Sequence, residues 1–266
     1  MEKEESKTEI VRLDSKLLWK EVFYCAILPK GYANSDRKFP VLYLLHGLFG
    51  RFDNWITNTK ITEYARDFPF LIICPEGGDG WYTDSPNLQK HFYESYIFQE
   101  LIPDAERRFN VSRKRESRAI AGLSMGGYGA FKFAFRRPEM FCFAASMSGA
   151  FHAAAVFDEM ESEALTELKP SVLGVFGKEA GKVRADNDLF QIAEIFPAER
   201  IRKLPFFYFE CGVADGFLPT NIRLAELFRR RRIPHEFRQF DGGHDWNYWD
   251  QRVKNVLQLS ASKFQL

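Results

Sequence analysis

Four cysteines in 266 residues, none of them in a CxxC spacing, leave no disulfide framework and no evident metal or redox pair. Cys25, Cys74, Cys142 and Cys211 stand far apart in the chain, and three lie inside apolar runs (FYCAIL, LIICP, FCFAAS). They read as buried free thiols in a reducing compartment. Charge of one sign is also missing. A net charge of +1 argues against a protein whose main task is to hold nucleic acid or an anionic membrane. No apolar run reaches the length of a membrane span, and the opening MEKEESKTEIVRL has no apolar h-region, so a cytoplasmic location is expected. With neither repeats nor low-complexity linkers, residues 1–266 read as one α/β domain.

What is present is a core. Hydrophobic residues make up 45% of the chain and charged residues 27%. Short apolar runs recur: Glu21 to Leu28, Phe39 to Leu45, Phe70 to Cys74, Arg118 to Ala121, Phe141 to Ser146, Phe206 to Glu210 and Glu236 to Phe240. Most are continuous rather than alternating, as strands covered on both faces require. Helical spacing falls between them, in Ser95 to Phe109, Met125 to Arg136, Pro219 to Arg232 and Asp245 to Leu259, with Pro103 expected to bend or strain the first. The architecture is a doubly wound, mostly parallel sheet with helices on both faces. Two basic runs, Arg107 to Arg118 and Arg229 to Arg232, read as solvated faces, the second at the negative end of a helix dipole.

In such a sheet chemistry gathers at the carboxyl ends of the strands. Four segments leave strand ends with unusual residues: HGLFG (His46 to Gly50), GLSMGG (Gly122 to Gly127), CGVADG (Cys211 to Gly216) and DGGHDW (Asp241 to Trp246). Gly122-Leu123-Ser124-Met125-Gly126 fits G-x-S-x-G between a strand and a helix, the context of a nucleophile elbow. A serine hydroxyl needs a base, and the base an orienting acid. Asp215 and then His244 follow Ser124 in the order that pattern requires. Asp241, three residues before His244, is the alternative acid and reads as a turn residue. Ser148 ends a strand without an elbow, and His46 reads as structural. The N–H groups of Leu48 and Met125 are the candidate oxyanion donors. Trp81 and Trp246, in strand-end loops, are candidate substrate contacts, and His152 is a third. Metal and cofactor are not called for.

The runs VLYLLHGLFG, GWYTDS, YESYIFQELIP, AGLSMGGYGA and GGHDWNYW together resemble the esterase D-type family of α/β-hydrolases. That family takes in S-formylglutathione hydrolases, tributyrin-type esterases and feruloyl esterases. The resemblance covers about residues 20 to 260. It implies Ser124 as nucleophile, Asp215 as acid, His244 as base, and oxyanion donors at Leu48 and Met125. Where the S-formylglutathione hydrolases follow the histidine with Asp-His-Ser-Tyr, this chain has Asp245-Trp246-Asn247-Tyr248-Trp249. The expected substrate is therefore a small-molecule ester with a short-chain or aryl acyl group, free or sugar-linked. A glutathione thioester, or acyl transfer through the same triad, is the alternative, and a binding protein that has lost its chemistry is a third reading that the intact triad disfavours. The stretch 151–203 reads as a cap-like insertion with short helices in FDEMESEALTEL and DLFQIAEIF. Self-association is left open.

Overall fold

The computed structural model describes residues 7–155 and 168–264. Its centre is an eight-stranded sheet of β1 (Thr8–Ser15), β2 (Lys20–Ile27), β3 (Val41–Leu45), β4 (Leu71–Pro75), β5 (Arg118–Leu123), β6 (Phe143–Met147), β7 (Phe206–Gly212) and β8 (His235–Phe240). The strands lie in the order β1-β2-β4-β3-β5-β6-β7-β8. From β4 to β8 all neighbours are parallel, while β1 and β2 run antiparallel at one edge.

Continuous apolar strands are explained by two cores, one on each face. Val41, Tyr43 and Leu45 of β3 enter one core, while Leu42 and Leu44 enter the other. On β5, Ile120 faces the first core and Ala119, Ala121 and Leu123 face the second. β1 departs from the reading of the sequence, which has no strand there. Its TEIVRLDS alternates apolar and charged residues, Ile10 is exposed, and Arg12 pairs with Glu21 of β2 at 2.6 Å. A half-solvated edge strand has no apolar run to announce it.

The strain expected at Pro103 takes a definite form. Helical turns Tyr93–Tyr96 and Ile102–Arg108 flank a π-helical turn, Ile97–Leu101, which ends two residues before the proline. Widening that turn accommodates a ring that would clash with the carbonyl four residues back. The arginine run closes the Leu218–Arg231 helix. Arg230 pairs with Glu194, Arg231 donates to the Phe196 carbonyl, and Arg232 caps the helix in the left-handed region. Of the expected insertion helices, Leu189–Ile195 is present, its N-terminus capped by Asp188, whereas FDEMESEALTEL lies almost wholly outside the described residues.

The helix after β5, Met125–Arg136, is buried along nearly its whole length. Phe131, Phe133 and Phe135 therefore all fill core. Phe131 stacks on Phe151 at 5.0 Å and meets Phe207 and Phe209 edge-on. Lys132 is caught in the same burial. Its Nζ donates to the Tyr82 carbonyl (2.8 Å), Thr83 Oγ1 (2.5 Å) and Asn187 Oδ1 (3.1 Å), and lies 3.2 Å from Glu94. Burial pulls its pKa down to about 7, although Glu94 pulls the other way. Lys132→Met leaves those acceptors unpaired, so urea denaturation should show a loss of about 3 kcal/mol; an unchanged midpoint would show that the network is dispensable.

Candidate active site

Ser124 sits between β5 and its helix with φ 51° and ψ −117°, a conformation few non-glycine residues hold. The flanking glycines explain how the chain gets there. A Cβ on Gly122 would lie 2.4 Å from the carbonyl carbon of Gly126, and a Cβ on Gly126 would lie 2.6 Å from the carbonyl oxygens of Leu45 and His46. Backbone touches backbone at both positions. The turn is then pinned by hydrogen bonds: Ser124 N–H donates to Met147 O at 3.0 Å, and Ser124 O accepts from Tyr128 N–H and Ala150 N–H, each at 3.1 Å.

His244 arrives from the loop after β8 and Asp215 from the loop after β7. These loops are tied together by Val213 N–H to Phe240 O (2.8 Å) and Ala214 N–H to Gly242 O (3.0 Å). The result is a hydrogen-bonded chain. Ser124 Oγ lies 3.0 Å from His244 Nε2, and His244 Nδ1 lies 2.9 Å from Asp215 Oδ2. Asp215 is buried, and burial alone would raise its pKa. Hydrogen bonding and charge from His244, with further bonds from the Ser148 hydroxyl and the Phe217 N–H, outweigh burial and hold it below the usual carboxylate range. The proton between Asp215 and His244 therefore belongs to Nδ1, which leaves Nε2 free to accept from the serine.

Asp241 is exposed and makes no hydrogen bond to His244 among the described residues. Ser148 proves to be more than a turn residue. It holds φ 53°, accepts from Trp249 Nε1–H at 3.2 Å and supports Asp215. Its motif SMSGA carried no signal for that, because its partners lie in other strand-end segments. The remaining histidines bond locally, His91 to Gly80 O and His235 to Ile233 O.

Leu48 and Met125 flank Ser124 from two directions, and no hydrogen bond described for the chain uses either N–H. His46, read as structural, fixes the first of them. Gly77 N–H donates to His46 Nε2 at 2.8 Å, so that nitrogen carries no proton and cannot pair with Glu76, 3.7 Å away. The proton is on Nδ1, which donates to Gly47 O at 2.7 Å. Gly50 N–H holds the same carbonyl at 3.1 Å. Since Gly47 C=O and Leu48 N–H belong to one planar peptide, holding the carbonyl on one side aims the N–H to the other.

The serine opens on a pocket of about 340 Å³ whose walls include Leu48, Phe49, Phe217, His244, Trp246 and Trp249. Trp246 is thus a wall residue, packed edge-on against Trp55 and Trp249. Trp81 is not. It is buried, donates its Nε1–H to Ser171 Oγ at 2.8 Å and packs on Tyr128 and Phe176, because its loop folds back under the elbow helix. His152 is also withdrawn from the pocket, backing Phe217 edge-on at 5.0 Å, with its pKa pushed down to about 4 by burial and by Arg223 and His244. Phe217 and Trp249 were missed as walls, although Trp249 follows Trp246 at helical spacing. A larger cleft of about 760 Å³, lined by Arg37, Lys38, Arg113 and Lys114 among others, lies by the opposite strand ends and holds none of the reacting groups.

Fold and site together define a serine hydrolase of the α/β-hydrolase type. Residues 18–190 match the family model described as "Putative esterase", and the chain belongs to that family. It is 28% identical to an acetyl esterase of Caldicellulosiruptor saccharolyticus, over 92% of this chain and 94% of that one. Among solved structures it is similar to a ferulic acid esterase (27% identity, TM-score 0.83, covering 98% of this chain and 100% of that one). A similar match is an S-formylglutathione hydrolase of Staphylococcus aureus (26% identity, TM-score 0.81, 96% and 98%). The reaction class is carboxylic-ester hydrolysis. Asp215→Asn should present the wrong imidazole tautomer and cost about four decades of kcat, whereas Asp241→Asn should leave kcat within severalfold; the opposite ranking would move the acid to Asp241.

Proposed function

We propose that the chain is a serine esterase that cleaves short-chain or aryl acyl esters through an acyl-enzyme, with water as the final acceptor. The observation that carries this is the hydrogen-bonded chain Asp215, His244, Ser124 at 2.9 and 3.0 Å, opening on a pocket with apolar walls. Ser124 Oγ attacks the ester carbonyl carbon while His244 Nε2 takes its proton, and the Leu48 and Met125 N–H groups receive the developing oxyanion. The C–O bond to the alcohol then breaks, and the imidazolium returns its proton to the leaving oxygen. Water, deprotonated by His244, repeats the sequence on the acyl-serine and releases the acid. The acetyl and ferulic acid esterases among its relatives support both acyl classes.

A glutathione thioester is the second reading, favoured by likeness to the S. aureus hydrolase along almost the whole chain. The aromatic run after His244 and the rings of the pocket favour the ester. A reducing, cytoplasmic setting is part of the proposal. Cys25 and Cys74 face each other in register across β2 and β4, yet both are free thiols. No helix among the described residues is long and apolar enough to cross a membrane.

A fluorophosphonate should label Ser124, and Ser124→Ala should lose both the label and several orders of magnitude of kcat with the fold intact. An adduct on Ser148 would overturn the assignment. Among substrates, 4-nitrophenyl acetate should be turned over faster than S-formylglutathione, and the reverse preference would favour the thioester. Since Asp215 is held below the usual carboxylate range, its carboxyl should add no second proton to the acid limb of the pH profile; a two-proton limb would place the carboxyl in that titration.

A further inference from the structure

Among the described residues two exposed aromatic side chains stand at positive φ, Trp19 and Phe49, and of these Phe49 lines the pocket. Its backbone holds φ 60°, a conformation that strains any bulky side chain, yet its ring is 67% exposed and belongs to neither core. Glycine or asparagine would occupy such a turn with less strain, and burial returns little to a ring in solvent. The neighbouring residue behaves in the opposite way, since Leu48 packs its side chain against the core. The backbone leaves Phe49 no freedom to relax. Its N–H donates to Asp79 Oδ1 at 2.8 Å, Gly50 N–H donates to Gly47 O, and the Asp79 carbonyl is in turn held by Ser171 Oγ at 3.3 Å. A strained, anchored and exposed ring therefore stands on the wall of the pocket that holds Ser124 and His244, in company with Trp246 and Trp249.

We infer that Phe49 is a specificity-determining residue: with Trp246 it forms an aromatic subsite for a flat apolar group of the ester. Stacking on a ring fixed in advance costs the complex little ordering, which suits a rigid, strained position. This rests on the esterase reading above, and the flat group can belong to the acyl or the alcohol half of the substrate.

The test uses the full chain and Phe49→Asn, because asparagine keeps the left-handed conformation and removes the ring. kcat/KM is measured for 1-naphthyl acetate, ethyl benzoate and ethyl acetate, with fluorophosphonate labelling of Ser124 and thermal melting alongside. The expected result is a fall of about fivefold in the ratio of an aromatic ester to ethyl acetate, carried mainly by KM. The melting temperature should be unchanged or higher, and Phe49→Trp should recover the ratio. A fall with naphthyl acetate alone assigns the subsite to the alcohol, and a fall with ethyl benzoate alone assigns it to the acyl group. Equal losses on all three esters would mean that the ring only supports the oxyanion loop, and unchanged ratios would mean that it is idle; either overturns the inference. Failure of the esterase reading looks different, with wild type neither labelled at Ser124 nor active on any of the esters.

Discussion

The contact between the backbones of Gly122 and Gly126 is the constraint on which the rest of the site depends. It lets a helix begin directly against the end of a central strand, and it forces the residue between them into a left-handed turn. Ser124 lines the pocket from that turn. The same close approach drives Met125–Arg136 into the middle of the molecule, where even its would-be surface face is covered. Hence three phenylalanines in alternate positions are all core residues, and a lysine on this helix must find every partner inside the protein.

Strand order does the remaining assembly. β5 lies between β3 and β6, so the HGLFG loop reaches Ser124 from one side while the loops after β7 and β8 reach it from the other. Those two loops are bonded to each other before they meet the serine, which makes Asp215 and His244 a preassembled unit. Preassembly matters because an ion or dipole already in place need not reorganise when charge develops on the substrate.

The hydrogen-bonded chain of Ser124, His244 and Asp215 was legible because the chemistry of such a chain dictates its residue types and the fold dictates their order. G-x-S-x-G followed by Asp215 and His244 admits few alternatives, and Asp241 fell away once its exposure was seen. Edge strand β1 was illegible for a physical reason, since a strand wet on one side shows no apolar run. The pocket walls were half legible. Trp81 and Trp246 occupy similar loops in the sequence, yet one folds under the elbow helix and the other faces the serine. That difference is set by side-chain packing between distant segments, which local pattern does not carry. Ser148 and His152 were misjudged in the same way, one gaining a partner and the other losing its exposure to the pocket.

Two histidines after strand ends show how surroundings, rather than residue type, assign chemistry. His46 and His244 each stand beside Ser124's loop network, and a neutral imidazole donates from one ring nitrogen and accepts at the other. Both nitrogens of His46 are already committed, one accepting from Gly77 and one donating to Gly47, in a buried position that no substrate reaches. His244 commits only Nδ1, and its Nε2 looks at the serine from a partly open position. The first histidine has no nitrogen left to face a substrate, whereas the second keeps one directed at Ser124, as the proposed base requires; the division follows from which nitrogens already have partners.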